Sequence, residues 1–136
     1  MTKTSQTPTS TVLHICKVYF PVKGGVQKVV RSITSLANDY NHQVITTGED
    51  GAISNQKIEG TLIIRSRSYL QIASMPIAPS MISDVIKSSK KCQVICVHYP
   101  FPLADLALAM TLKLPPLVVY WHSNIVAQKK LKWLTL

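Results

Sequence analysis

Acidic residues are scarce in this chain of 136 residues. Asp and Glu together number 6, against 15 Lys and Arg, so the formal net charge is +9. Cysteine is also scarce, and the three present, Cys16, Cys92 and Cys96, fall in apolar strand-like segments without the CxxC spacing of zinc or redox sites. An odd number of cysteines argues against a disulfide framework, and we predict reduced core thiols in a cytoplasmic protein.

Long apolar runs are absent as well. No segment approaches the ~18 uninterrupted apolar residues of a membrane-spanning helix. Residues 1–11 are rich in Thr and Ser and lack an apolar centre, so they predict a short disordered leader and exclude a signal peptide. The chain as a whole is 46% hydrophobic, which predicts a single domain over residues 12–136 with a substantial core.

Strand-like and helix-like segments alternate along this domain. Short β-branched runs predict strands, and apolar residues at helical spacing predict helices between them. The strands are apolar on both faces, which favours a Rossmann-like α/β fold, a parallel sheet with helices on both faces. We predict buried strands at 11–18, 43–47, 61–65, 93–98 and 117–121, and helices at 26–37, 80–91, 103–113 and from 124, with Ser80 and Asn124 as N-caps.

Candidate ligand-binding residues follow three of the predicted strands. Ligands of open α/β sheets bind at the carboxyl ends of the strands. Paired glycines before a helix allow a close approach to the backbone, and the helix N-terminus favours an anion. The spacings of the dinucleotide fingerprint and of the P-loop are both absent. The candidates are Lys23-Gly24-Gly25, His98-Tyr99 and His122-Ser123-Asn124.

Each candidate also has a purely structural interpretation, which stays open at this point. A Gly-Gly pair can be a tight turn, and a histidine at a strand end can be a hydrogen-bonded structural residue. His14 lies within the first strand and is predicted to be structural, whereas His42 precedes the second strand in a polar loop and is predicted to be solvent-exposed. No two histidines have metal-ligand spacing on one helix, so we predict no metal site.

Three segments together resemble a known enzyme family. From about Val12 to the end, the chain is similar to the N-terminal domain of GT-B glycosyltransferases, in particular the retaining family-4 group. The three segments, each too common to identify the family by itself, are LHICKVYFPVKGGVQKVVRSITSLA, VICVHYPFPLADLAL and PPLVVYWHSNIVAQKK.

The resemblance implies a metal-independent transfer of sugar from a nucleotide-sugar donor to a lipid-linked or glycan acceptor. Such enzymes act in polysaccharide, glycolipid or lipopolysaccharide biosynthesis, with two Rossmann-like domains facing each other across a cleft. The resemblance places the backbone N–H groups of Gly24 and Gly25 at the donor diphosphate, where they would stabilise the leaving group. It places His122 at the reaction centre as the catalytic residue.

The same resemblance implies an acceptor side on this domain. Its candidate contacts are Lys23, His98, Tyr99, Ser123 and Asn124. Two departures from the family are visible: Asn124 stands where an Asp is common, and the donor-binding domain with its paired glutamates has no counterpart. We therefore expect a fragment that is inactive by itself.

The positive charge raises the question of partners. Lys129, Lys130 and Lys132 flank apolar residues and Trp133, and this predicts a basic amphipathic helix at an anionic membrane surface, on its cytoplasmic face. The alternative is an ordinary solvated helix face. Nucleic acid is disfavoured because no nucleic-acid-binding motif is present. A second hypothesis for the whole chain is a non-catalytic Rossmann-like module that binds an anionic ligand or a membrane.

Overall fold

The computed structural model describes residues 10–48 and 54–122. The predicted leader up to residue 9, the predicted C-terminal helix with its lysines and Trp133, and the candidates Ser123 and Asn124 lie outside these residues. Thr11, which we had included in the leader, begins the first strand. None of the described helices is both long and apolar enough to cross a membrane.

The described elements are β1 Thr11–Ile15, α1 Gly25–Leu36, β2 Asn41–Gly48, β3 Ser54–Ile58, β4 Thr61–Arg67, β5 Leu70–Ile72, β6 Met75–Ile77, α2 Ser80–Ser89, β7 Val94–Tyr99, α3 Pro102–Ala109 and β8 Leu117–Trp121. Helices therefore separate the strands, except that β2 to β6 follow one another between α1 and α2. The strands pair in the order β3-β4-β2-β1-β7-β8, all parallel except β3, which is antiparallel to β4, and β5 and β6 form a separate hairpin. The predicted Rossmann-like α/β fold is confirmed.

Helices cover both faces of the sheet. Neighbouring residues of a strand point to opposite sides, so they pack in different cores. Ile45 packs in a core with side chains of α2 and α3, whereas its neighbour Val44 belongs to a second core that includes Val30 of α1. All three cysteines are buried free thiols, as predicted, and burial raises the pKa of Cys16 to about 12. The central strands β1 and β7 are rich in apolar residues because the sheet is covered on both faces there.

Three local predictions are wrong or incomplete. Leu117–Trp121 forms the predicted strand, but each of its side chains is 42–52% exposed, since β8 lies at the sheet edge and no described element covers it. Ser80 is already helical and Pro79 holds the cap position, so Ser80 is not the N-cap of α2. The antiparallel edge strand β3 was not predicted, because its polar sequence SNQKI lacks an apolar pattern.

A two-residue turn joins β3 to β4 and depends on Gly60. Glu59 and Gly60 both have positive φ, 50° and 82°, which is the requirement of a type I′ hairpin turn. Glu59 also pairs with Arg31 of α1 at 2.7 Å, so the turn links the hairpin to that helix.

We expect Gly60→Ala to lower the free energy of unfolding by about 1–2 kcal/mol, because a Cβ disfavours the left-handed conformation. Chemical denaturation measures the change. Gly25→Ala is the matched control: Gly25 lies outside the left-handed region and has open space where a Cβ would be. An unchanged unfolding midpoint for Gly60→Ala would contradict the assignment of this turn.

Candidate functional site

The candidate residues gather at the edge where the parallel strands end. Gly24 and Gly25 lie between β1 and α1, Tyr99 is the last residue of β7, and His122 comes directly after β8. The backbone N–H of His122 donates to the carbonyl of Tyr99 at 3.1 Å, which fixes the two strand ends together. The rings of His98 and His122, 24 residues apart in sequence, meet with Nδ1 of His98 and Nε2 of His122 2.8 Å apart.

All four histidines lie on a single diagonal across the sheet. His42 of β2 pairs in register with Val12, and His14 lies two residues further along β1. His14 pairs with Cys96, and His98 lies two residues further along β7; His98 pairs with Tyr120, and His122 lies two residues beyond that. Steps of two keep every imidazole on the same face, because side chains alternate along a strand.

Neighbouring imidazoles on this diagonal are within hydrogen-bond distance of each other. The distance is 3.1 Å between His42 Nδ1 and His14 Nε2, and 3.3 Å between His14 Nδ1 and His98 Nε2. At the far end, His42 Nε2 lies 2.9 Å from the carbonyl oxygen of Ala37, the C-cap of α1. We call this row His42–His14–His98–His122 the histidine chain.

Burial keeps the inner part of the histidine chain uncharged. His14 is 1% and His98 2% exposed. Desolvation, reinforced by repulsion from neighbouring histidines, lowers the pKa of His14 to about 3 and that of His98 to about 4. Desolvation also lowers the pKa of the less buried His122. At neutral pH the two inner imidazoles are therefore neutral, and each offers one N–H and one lone pair.

The prediction for His42 is wrong, and the correction matters for the site. His42 was expected in a solvent-exposed loop, but β2 begins at Asn41, so His42 belongs to the sheet and is only 8% exposed. His14 is in the interior, as predicted, and it joins the two ends of the histidine chain. Sequence inspection missed the chain because its members are far apart, and only the register of four strands reveals the step of two residues.

A metal site is the other arrangement that these side chains suggest. The ligand atoms of His14, Cys96 and His98 lie within 4.8 Å of one another. However, the facing nitrogens of His14 and His98 are at hydrogen-bond distance, and burial raises the pKa of Cys96, which favours the neutral thiol over the thiolate that binds metal. Hydrogen bonding between imidazoles accounts for the geometry as it stands.

A groove of about 690 Å³ opens beside the Gly-Gly loop. Exposed Lys23 contributes to its wall, and Arg31 lies 4.7 Å above the ring of Phe20. A Cβ on Gly25 would meet nothing within 4 Å, and its backbone does not require glycine. The groove is lined by Phe20, Val22, Lys23, Gly24, Gly25, Gln27, Lys28 and Arg31. This surface suits an anion that approaches the start of α1.

A second groove, of about 530 Å³, lies at the ends of β1, β2 and β4, where no sequence motif predicts a site. It combines two cations with an aromatic ring: the guanidinium of Arg67 lies 5.2 Å from the ring centre of Tyr69. The lining residues are Lys17, Val18, Thr47, Gly48, Arg67, Ser68, Tyr69, Leu70, Gln71 and Pro76. Cations, hydroxyls and an aromatic face are groups that bind sugars and phosphates.

Tyr99 is held in place by two neighbours. Its hydroxyl donates to the carboxylate of Asp105 in the first turn of α3, and its ring lies 5.8 Å from that of Trp121. Tyr99 is half-buried at the carboxyl edge. His98, by contrast, is enclosed, and both of its ring nitrogens contact other imidazoles.

Acidification is expected to destabilise the fold, with His14 and His98 as the cause. Unfolded histidine titrates near about 6.5, whereas the folded pKa values are about 3 and about 4. At pH values between the folded and the unfolded pKa, the unfolded chain binds protons that the folded protein does not. Each histidine then lowers the free energy of unfolding by up to about 1.4 kcal/mol per pH unit as the pH falls.

Urea unfolding at about pH 7 and about pH 5 measures this slope, since stability changes with pH wherever the two states differ in bound protons. His98→Gln has one titrating group fewer, so its free energy of unfolding should depend less steeply on pH. His14→Gln provides the same comparison independently. The pKa assignment fails if folded variants retain the slope of the parent protein.

Comparison with known proteins finds relatives among bacterial sugar transferases. No protein-family model matches this sequence. Over 123 residues the chain is 28% identical to D-rhamnosyltransferase WbpZ of Pseudomonas aeruginosa, covering 88% of this chain and 32% of the relative. It is 27% identical over 123 residues to O-antigen chain mannosyltransferase C of Escherichia coli, covering 88% of this chain and 33% of the relative. The chain thus spans about one third of the length of these curated relatives, and it is similar to two bacterial glycosyltransferases.

Proposed function

We propose that this chain is the acceptor-side domain of a retaining, family-4 glycosyltransferase of GT-B fold. The proposed reaction moves a sugar from a nucleotide-sugar donor to a lipid-linked or glycan acceptor in O-antigen or related polysaccharide synthesis. One observation carries the proposal. The sequence match to two sugar transferases covers 88% of the chain, so it necessarily includes the Gly-Gly loop and His98, which flank the carboxyl edge of the sheet.

His122 is the proposed catalytic residue, at the donor sugar and the reaction centre. Its position supports this role: it follows β8 directly, at the edge where ligands of parallel sheets bind. Its backbone is held by Tyr99 and one ring nitrogen by His98, so its orientation is fixed before a ligand arrives. Such preorganisation is what a group acting in a transition state requires.

Gly24 and Gly25 are proposed to bind the donor diphosphate through their backbone N–H groups. The start of α1 presents N–H groups without partners inside the helix, and its dipole favours negative charge. Gly24 is the N-cap, and as a glycine it has no side chain that could cap these N–H groups. The open space at Gly25 supports close approach of a ligand, since packing and backbone conformation do not explain glycine there.

The acceptor is proposed to bind along the same edge. Lys23 and Tyr99 are the exposed and half-exposed candidates among the described residues, and Ser123 and Asn124 continue the chain directly after His122. The groove with Arg67 and Tyr69 adds a surface for an anionic or sugar-bearing acceptor. A lipid-linked acceptor would bring the protein to the cytoplasmic face of a membrane. No metal or other cofactor is required in this proposal.

The central test is His122→Ala in the protein expressed from its complete reading frame. Sugar transfer from nucleotide-activated D-rhamnose and mannose to extracted lipid acceptors is measured. We expect turnover to fall about 10²-fold or more, the range of a positioned acid–base or charge-stabilising group. Val119→Ala, which alters the opposite face of β8, is the matched control and should retain activity. A folded His122→Ala protein with full turnover would refute the catalytic role.

A second test concerns the diphosphate site. Gly25→Ala should raise the KM for the nucleotide-sugar about tenfold or more, because a methyl group occupies the space that the phosphate would approach, while stability stays unchanged. Ser35→Ala, on the exposed side of the same helix, is the control. An unaltered KM in Gly25→Ala would remove Gly25 from the donor site.

A further inference from the structure

The histidine chain has a direction that its far end imposes. The carbonyl oxygen of Ala37 accepts hydrogen bonds and cannot donate one. His42 Nε2 lies 2.9 Å from it and must therefore carry the proton. A neutral imidazole holds a single N–H, so His42 Nδ1 has a lone pair and accepts a hydrogen bond from its neighbour.

The same logic determines each following tautomer. His14 Nε2 donates to His42 Nδ1, which leaves His14 Nδ1 as an acceptor. His98 Nε2 donates to that atom, and His122 Nε2 donates in turn to His98 Nδ1. Every histidine is then an Nε2–H tautomer, and Nδ1 of His122 is the one ring nitrogen that neither another imidazole nor the Ala37 carbonyl engages.

The geometry of the rings supports hydrogen bonds at all three junctions. The ring centroids lie 5.2, 5.6 and 5.1 Å apart along the chain. Each value exceeds the corresponding N···N distance by about the diameter of an imidazole ring, so the rings meet end to end with the nitrogens pointing at each other. The ring planes are inclined by 36°, 30° and 26°. Rings stacked face to face could not form such bonds.

We propose that His42, His14 and His98 are positioning residues that act through His122. Their hydrogen bonds fix His122 as the Nε2–H tautomer and present its Nδ1 lone pair at the carboxyl edge of the sheet, where the ligand binds. This inference rests on the proposed function only for the identity of that ligand.

The histidine chain also gives positive charge a path away from the site. When His122 Nδ1 takes up a proton, its Nε2 proton can pass to His98 Nδ1, the Nε2 proton of His98 to His14, and that of His14 to His42 Nδ1. One proton enters and three move by one hydrogen bond each, so the path ends at His42 Nδ1. That end faces the C-terminus of α1, whose dipole favours a cation and whose last turn carries no basic side chain.

Few other polar side chains touch the histidine chain among the described residues. The Cys96 sulfur lies 3.6 Å from His98 Nε2, and Tyr120 packs against the rings of His98 and His122. Tyr40 meets the ring of His42 edge-on at 6.5 Å. The second hydrogen bond to the Ala37 carbonyl comes from the backbone N–H of Tyr40. None of these contacts is a carboxylate that would hold a proton on an inner imidazole.

NMR of the 15N-labelled chain reads the tautomers directly, at a pH above the ordinary histidine pKa of about 6.5. We expect His122 to carry its proton on Nε2 alone, and scalar couplings across the three N–H···N bonds. His42→Phe removes the acceptor for His14, which lies three hydrogen bonds away from His122. Both tautomers of His122 should then be populated. His42→Gln keeps an N–H for Ala37 and a carbonyl for His14, and should restore the single tautomer.

Cys96→Ala is the matched control, since Cys96 is buried beside His98 yet is not a member of the histidine chain. It should leave the couplings and the His122 tautomer unchanged. Stoichiometric zinc in the purified chain that is lost in Cys96→Ala would overturn the proposal in favour of a metal site. Absent couplings, or a His122 tautomer that His42→Phe does not change, would overturn it as well.

A kinetic measurement separates this inference from the proposed function. In the complete protein, His42→Phe should lower kcat about tenfold or more with KM unchanged, and His42→Gln should recover the loss, because a misplaced tautomer impairs the reaction and leaves substrate binding intact. If sugar transfer is not found at all, the proposed function fails while the NMR result still decides on the histidine chain.

Discussion

The parallel register of four neighbouring strands is the constraint on which the site depends. Because β2, β1, β7 and β8 run in the same direction, their carboxyl ends meet at one edge, and residues two apart share a face. A slip of one residue in any pair would turn a histidine to the opposite face and break the row of imidazoles. The apolar cores on both sides of the sheet hold that register, since a slip would move Val44 and Ile45 into each other's core and disrupt the packing of both.

Burial gives the histidine chain its chemical character. Imidazoles in water exchange tautomers and take up protons near neutral pH, but desolvation keeps His14 and His98 neutral. A neutral imidazole has one donor and one acceptor, so a single fixed acceptor at the end of α1 is enough to orient the whole row. A helix terminus on one side of the sheet is thereby connected to the proposed reaction centre at the carboxyl edge.

The sequence predicted the fold well because its evidence is local. Apolar runs, turn residues and helical spacing are properties of neighbouring positions, and the alternation of strands and helices follows from them. The edge strands were the weak point: β8 has a sequence as apolar as a central strand, yet its position at the sheet edge leaves it exposed, and polar β3 was not recognised at all. The place of a strand within a sheet depends on its pairing with distant segments, and a local sequence pattern carries no information about that pairing.

By itself the sequence determined the α/β class, the carboxyl-edge location of Gly24, Gly25 and His122, and the resemblance to sugar transferases. Only the tertiary structure decided the environment of the histidines. His42 was assigned to a solvated loop and is buried, and His98 was chosen as an acceptor contact and lies enclosed between two imidazoles. The physical reason is that a hydrogen bond between residues 28 or 84 positions apart depends on strand register, and register is set by packing of the whole sheet.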